Sequence, residues 1–289
     1  MKLVAVSRKS ARVKCPDGLT MGLDVFLPEG ESRPLPVAVV CHGFKGFKDW
    51  GLFPPLAERL AASGRAIALF DFSHNGVGVM PGEFSRLDLF ERQTVSRNIA
   101  DLGTVLDFLD GQGEGAPFAQ ACNLQRNRHF NVVGHSLGGL VAVLRAADDA
   151  RVVQVAALNA LASLDRFSDA ELAELERNGR VLIKNQRTGQ DMPLGRAWVE
   201  DAARHDIEGA ATQVFVPSLI VYGEADETVT PDHSQRLNEW IAGSRLVRVP
   251  EGSHSFGATH PFAGWTPPLE TVAAELDAFL PHVGRLGGI

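Results

Sequence analysis

The chain has 289 residues, 45% of them hydrophobic and 22% charged, and a formal net charge of −7. That length suffices for one large domain with a sizeable core, and the acidic balance argues against nucleic acid or an anionic membrane as a partner. No apolar run reaches bilayer length, and the segment from Met1 to Lys9 lacks the apolar stretch of a secretory signal. Cys15, Cys41 and Cys122 form an odd set without metal or disulfide spacing, so reduced thiols in a cytoplasmic protein are expected, with no metal and no cofactor.

Apolar strand-like runs alternate with helical periodicity, which predicts an α/β fold with a mostly parallel sheet. Leu19 to Leu27 alternates as a strand and is expected to pair antiparallel. Val37 to Cys41 reads as a buried strand ending at His42-Gly43. Pro54 to Ser63 is helical, with Gly64 as its stop. Ala66 to Phe72 is the next strand, and Val95 to Leu109 repeats apolar residues at helical spacing. A strand at Phe130–Val133 leads to a helix beginning near Leu137. Val152–Leu158, Ser218–Tyr222 and Arg245–Val249 are the later strands, and Leu269 to Leu280 closes the chain as an amphipathic helix.

The gap between the strands ending at Leu158 and starting at Ser218 is too long for an ordinary connection. Ser168-Asp169-Ala170-Glu171 is a capping box, and its helix should stop near Gly179. Val181 to Asn185 follows as a short strand with a turn at Thr188-Gly189, and Gly195 to His205 is helical again. Residues 160–211 are therefore expected to form a cap on a single domain spanning 1–289.

The segment richest in chemistry is Gly134-His135-Ser136-Leu137-Gly138, set between a strand and a helix. In that context G-x-S-x-G is a nucleophile elbow, with the serine hydroxyl at the carboxyl edge of the sheet. A serine needs a base, and the base needs an acid to orient it. Both are expected later in the chain, acid first, each in a loop leaving a strand. Asp226, after Tyr222-Gly223, is the expected acid; Glu224, Glu227 and Asp232 are its neighbours. His254, in Gly252-Ser253-His254-Ser255, is the expected base, with His260 as the runner-up. Two backbone N–H groups must hold the oxyanion: Leu137 at the helix start, and Phe44 in the loop that begins His42-Gly43. Phe44, Phe47 and Trp50 are candidates to line the substrate pocket. His74, in the Asp71–Gly78 turn, is read as structural.

With these motifs in place, the chain resembles the α/β-hydrolase superfamily over nearly its whole length. His42-Gly43-Phe44, Asp71-Phe72-Ser73-His74-Asn75-Gly76 and Gly252-Ser253-His254-Ser255-Phe256 resemble the small bacterial serine esterases related to dienelactone hydrolases and to cinnamoyl or feruloyl esterases. The resemblance implies ester hydrolysis through an acyl-enzyme, with aromatic or short acyl groups and a small-molecule ester as partner. Dienelactone hydrolases proper carry cysteine as nucleophile where this chain has Ser136, a departure that counts against their lactone chemistry. Acyl transfer and amide hydrolysis would use the same three residues. A non-catalytic ligand-binding protein on the same scaffold is the reading from a different class.

Overall fold

The computed structural model describes residues 4–80, 82–125 and 127–283. An eight-stranded sheet is built from β1 (Val6–Lys14), β2 (Thr20–Pro28), β3 (Val37–Cys41), β4 (Ala66–Phe70), β5 (Phe130–His135), β6 (Val152–Leu158), β9 (Ser218–Gly223) and β10 (Arg245–Val249). Its spatial order is β1-β2-β4-β3-β5-β6-β9-β10. The first two strands run antiparallel, and the other six are parallel to one another.

Alternation along the strands assigns each residue to a face. Val37, Val39 and Cys41 of β3 point to one core, against Leu102, Val105, Leu106 and Leu109 of α3 (Val95–Leu109) and Val141 and Val143 of α5 (Leu137–Asp148). Ala38 and Val40 point to the other, against Leu56 and Leu60 of α1 (Phe53–Ala61) and Leu269, Val272 and Leu276 of α10 (Pro267–Phe279). Both faces of the central strands are covered, which is why these strands read as continuous apolar runs. The short helices α2 (Leu87–Glu91) and α4 (Ala116–Ala121) complete the first half of the chain.

Between β6 and β9 the chain leaves the large sheet. It forms α6 (Asp169–Asn178), a separate antiparallel hairpin of β7 (Arg180–Lys184) and β8 (Asp191–Gly195), then α7 (Arg196–Ala202) and α8 (Ile207–Ala211). Ser168 and Glu171 make the reciprocal capping box, and Gly179 ends α6 in the left-handed conformation at φ 72°. Leu175, Val181, Met192, Leu194 and Trp198 of this segment share a third core with Phe90, Leu137 and Leu140. The chain then returns to the large sheet, where α9 (Pro231–Trp240) follows β9.

This topology selects one place for a ligand. From β3 the chain moves to β4 on one side, then crosses to β5 on the other. Loops leaving the carboxyl ends of β3 and β5 therefore diverge and open a crevice, the usual binding position in parallel sheets.

Candidate active site

Ser136 stands at that switch point, between the end of β5 and the start of α5. Its backbone is held at φ 56°, ψ −123°, a conformation that costs energy in any residue with a side chain. The neighbouring glycines make the turn possible. A methyl group on Gly134 would lie 2.1 Å from the Gly138 carbonyl oxygen, one on Gly138 2.4 Å from that of Cys41, and one on Gly139 2.5 Å from the Ala160 Cβ. The elbow is thus packed directly on β3 and on the segment after β6.

Asp226 and His254 meet across two loops. The Asp226 side chain is fully buried in the turn after β9; its Oδ1 accepts from the Thr228 and Val229 N–H groups at 2.8 and 2.9 Å. Its Oδ2 accepts from His254 Nδ1 at 2.8 Å. The rival carboxylates are elsewhere: Glu224 pairs with Arg248, Asp232 with Arg236, and Glu227 is exposed. His260 is also elsewhere. Its Nδ1 accepts from the Gly51 N–H at 3.0 Å, and its ring packs on Phe47 and Trp50. His74 is buried, with Nδ1 2.8 Å from Ser73 Oγ, and burial pushes it down to about 4.

Three groups outside the expected set hold this arrangement. Asn159, at the end of β6 with φ 45°, is fully buried. Its Nδ2 donates to the carbonyls of Ser253 (3.2 Å) and His254 (2.9 Å), while its Oδ1 accepts from Gly223 N–H at 2.8 Å. His135 lies against the His254 ring, with centroids 4.7 Å apart, and its Nε2–H donates to the His254 carbonyl at 2.7 Å. Burial, then the nearby His254, pushes His135 down to about 3, so it stays neutral and keeps that donor. His42 fixes the loop after β3: Nδ1–H donates to the Gly43 carbonyl at 2.9 Å, and Nε2 accepts from the Phe72 N–H at 3.3 Å. Burial holds it down near 4.

From Gly43 the chain makes a tight turn closed by Gly46 N–H on the Gly43 carbonyl, with Lys45 left-handed at φ 57°. Asp71, after β4, braces the far side of the loop by accepting from the Lys48 N–H at 2.9 Å. A methyl group on Gly43 would sit 2.9 Å from Ser136 Cβ and 3.4 Å from its Oγ, so the turn abuts the serine. Among the described residues the Phe44 N–H has no acceptor, and Leu137 is the first residue of α5, whose N–H has no intrahelical partner.

A cavity of about 740 Å³ opens over these groups. Ser136, His254, Phe44 and Trp50 line it, together with Trp198 and Arg166 from the segment between β6 and β9. Phe47 does not. It is buried beneath the turn, edge-on to Phe84 and His260, and so supports the loop instead of facing a ligand. The Ser136 hydroxyl makes no hydrogen bond among the described residues; it and His254 line the same cavity. No group of three or more His, Cys, Asp or Glu side chains among the described residues is placed to hold a metal ion, and no described helix is long and apolar enough to cross a membrane.

The sequence profile of the alpha/beta hydrolase family matches residues 38–266. The chain belongs to that family. Its fold is that of other alpha/beta hydrolases. Est1E from Butyrivibrio proteoclasticus with ferulic acid bound superposes with a TM-score of 0.68 at 21% identity, covering 93% of this chain and 97% of that one. The esterase domain of a Rhodothermus marinus protein gives 0.61 at 17% identity, covering 94% and 99%. An uncharacterized 31.7 kDa Escherichia coli protein, from the traX-finO intergenic region, is 27% identical over 181 residues. That match spans 61% of this chain and 56% of the relative.

Proposed function

We propose that this alpha/beta hydrolase is a serine-dependent carboxylic-ester hydrolase acting on a small-molecule ester in the cytoplasm. The observation that carries the reading is the bond from His254 Nδ1 to the buried Asp226 Oδ2, with both loops converging on a strained serine. Nδ1–H donation to a carboxylate leaves His254 Nε2 as the basic nitrogen. In the proposed mechanism Ser136 Oγ attacks the ester carbonyl and His254 takes its proton. The carbonyl electrons move to an oxyanion held by the Phe44 and Leu137 N–H groups, each donor worth roughly 3–4 kcal/mol of barrier. Collapse expels the alcohol, which receives the proton from His254. Water, deprotonated by His254, then cleaves the acyl-enzyme and regenerates Ser136.

Residues 160–211 act as the cap in this reading, since Arg166 and Trp198 bring their side chains to the cavity. Phe44, Trp50 and Trp198 give the cavity an aromatic wall suited to an aromatic or short acyl group. The buried free thiols of Cys15, Cys41 and Cys122 accord with a reducing compartment.

The test is labelling with a fluorophosphonate, followed by peptide mass spectrometry and an ester panel that includes hydroxycinnamates. Label on Ser136 together with turnover is expected. Ser136→Ala should abolish labelling and lower kcat by ~10⁴–10⁶. Native protein that neither labels nor turns over esters would move the ligand-binding reading to the front.

A further inference from the structure

The cavity is cationic in a protein whose formal net charge is −7. Lys45, Arg166 and Arg187 line it, against one carboxylate, Asp165, which accepts from the Ser163 hydroxyl at 2.9 Å. Among the described residues none of the three cations forms an ion pair. Arg187 is committed: it donates to the Gly82 carbonyl at 2.8 Å and lies over Phe47 and Phe84. Lys45 and Arg166 are less so. Both sit over the ring of Phe44, Lys45 Nζ at 5.9 Å and Arg166 Cζ at 4.3 Å from its centroid. The two charges are therefore no more than about 10 Å apart, and Arg166 acts on the partly buried Lys45 ammonium, where salt screens less.

Lys45 also spans the cavity, from the turn beside Ser136 to the hairpin, where Nζ donates to the Lys184 carbonyl at 3.0 Å. That uses one of its three donors. Burial and the nearby Arg166 both pull the Lys45 ammonium below its ordinary range. Both cations stand beside one ring; Glu171 acts on Arg166, while Lys45 is half-buried with no carboxylate acting on it among the described residues, an arrangement that a bound anion relieves.

We infer that the site takes esters carrying an anionic group, of which a carboxylate is the simplest, at the end remote from the reacting bond, held between Lys45 and Arg166. The inference rests on the proposed hydrolase reading for the position of the reacting bond. Lys45 directly follows the residue whose N–H faces the oxyanion, so the anion would lie within a short substrate's length of the carbonyl. Arg166 adds a planar fork that can take a carboxylate by two parallel bonds.

Two matched pairs of esters separate the acyl and alcohol ends. The first is the mono-4-nitrophenyl ester of adipic acid against its methyl-capped counterpart. The second is the butyrate of 4-hydroxybenzoate against that of methyl 4-hydroxybenzoate. At low salt, kcat/KM should favour the anionic member of at least one pair by roughly tenfold or more, the effect of a charge-assisted bond. The ratio should shrink in about 0.5 M NaCl, and fall towards one in Lys45→Gln and Arg166→Gln. Neutral members favoured in both pairs, or ratios that ignore salt and both substitutions, would overturn the inference.

Calorimetric titration of the wild-type chain with adipate and with adipamide gives a readout independent of turnover. Adipate binding that adipamide lacks and that Arg166→Gln loses supports the anion site, even if no ester is cleaved and the hydrolase reading fails. Equal binding of the two, or none of either, counts against the anion site, even if esters are cleaved and the hydrolase reading stands.

Discussion

The carboxamide of Asn159 joins two loops from different parts of the chain. One side holds Gly223 at the start of the Asp226 turn; the other holds the Ser253 and His254 carbonyls. The spacing between the proposed acid and base is therefore set by a third side chain as well as by their own bond. Asn159→Ala leaves the buried Gly223 N–H without its partner, at a cost of about 1–3 kcal/mol, and takes one donor from each of the Ser253 and His254 carbonyls, which keep the Phe256 N–H and His135 Nε2. Because the reacting atoms tolerate little misplacement, kcat should fall by roughly 10²-fold. Asn159→Asp has the same shape but sets an acceptor against two carbonyl oxygens, so it should do no better than alanine. The check is kcat and KM beside the rate of Ser136 phosphonylation. A positioning role lowers kcat and phosphonylation together; a drop in melting temperature alone, with both rates intact, would assign Asn159 to stability only. Nothing local in the sequence marks this residue, because its partners lie 64 to 95 positions away. His135 was in view as the variable position of the elbow motif, but its bond to the His254 carbonyl depends on the same long-range closure.

At the scale of elements, the central parallel strands were legible because both of their faces are buried; β10, at the sheet edge with Arg245 and Arg248 exposed, was legible from Leu246, Val247 and Val249. β3, β6, β10 and α3 fall where apolar runs and helical spacing put them. β1 was not legible. Val6–Lys14 pairs on one side only and leaves Arg8, Lys9, Ser10 and Arg12 exposed, so it carries little apolar alternation. β8 was hidden by Pro193 and Gly195, residues that ordinarily break strands; here a two-stranded hairpin tolerates them. The elbow glycines follow the motif, and the structure separates what each does. A methyl group on Gly138 meets the backbone oxygens of Cys41 and His42 at 2.4 and 2.5 Å, so the helix or β3 must move. A methyl group on Gly43 meets chiefly the Ser136 side chain. Gly138→Ala should therefore lower stability by roughly 1–3 kcal/mol or more. Gly43→Ala should lose labelling and turnover with a smaller change in stability. Urea midpoints set beside phosphonylation rates test the split, and the same ranking for both properties would show that the two glycines do one job.

For the whole molecule, the buried histidines tie stability to pH. Burial lowers His42 and His74 to about 4 and His135 to about 3, from an ordinary 6.5. The unfolded chain binds protons at these positions as pH falls below 6.5, while the folded chain does so only near 3 to 4. Their contribution is thus complete above about 6.5 and is lost progressively on acidification. His42 alone contributes on the order of 3 kcal/mol. Asp71 works in the opposite sense. Burial raises it to about 6, so its contribution is present at low pH and is lost as pH rises through that value. Burial raises Asp101 as well, in the same sense as Asp71; the three histidines outweigh these two carboxylates, and the net expectation is a urea midpoint that falls steadily from pH 6.5 to 4.5. His135→Gln can keep a donor towards the His254 carbonyl but cannot be protonated. It should flatten the slope by about one proton, or roughly 1.4 kcal/mol per pH unit. A wild-type midpoint that is flat or rises on acidification would mean that His42 and His135 take up protons in the folded state. The bonds that hold the Gly43 turn and the His254 loop, drawn with neutral rings, would then have to be redrawn.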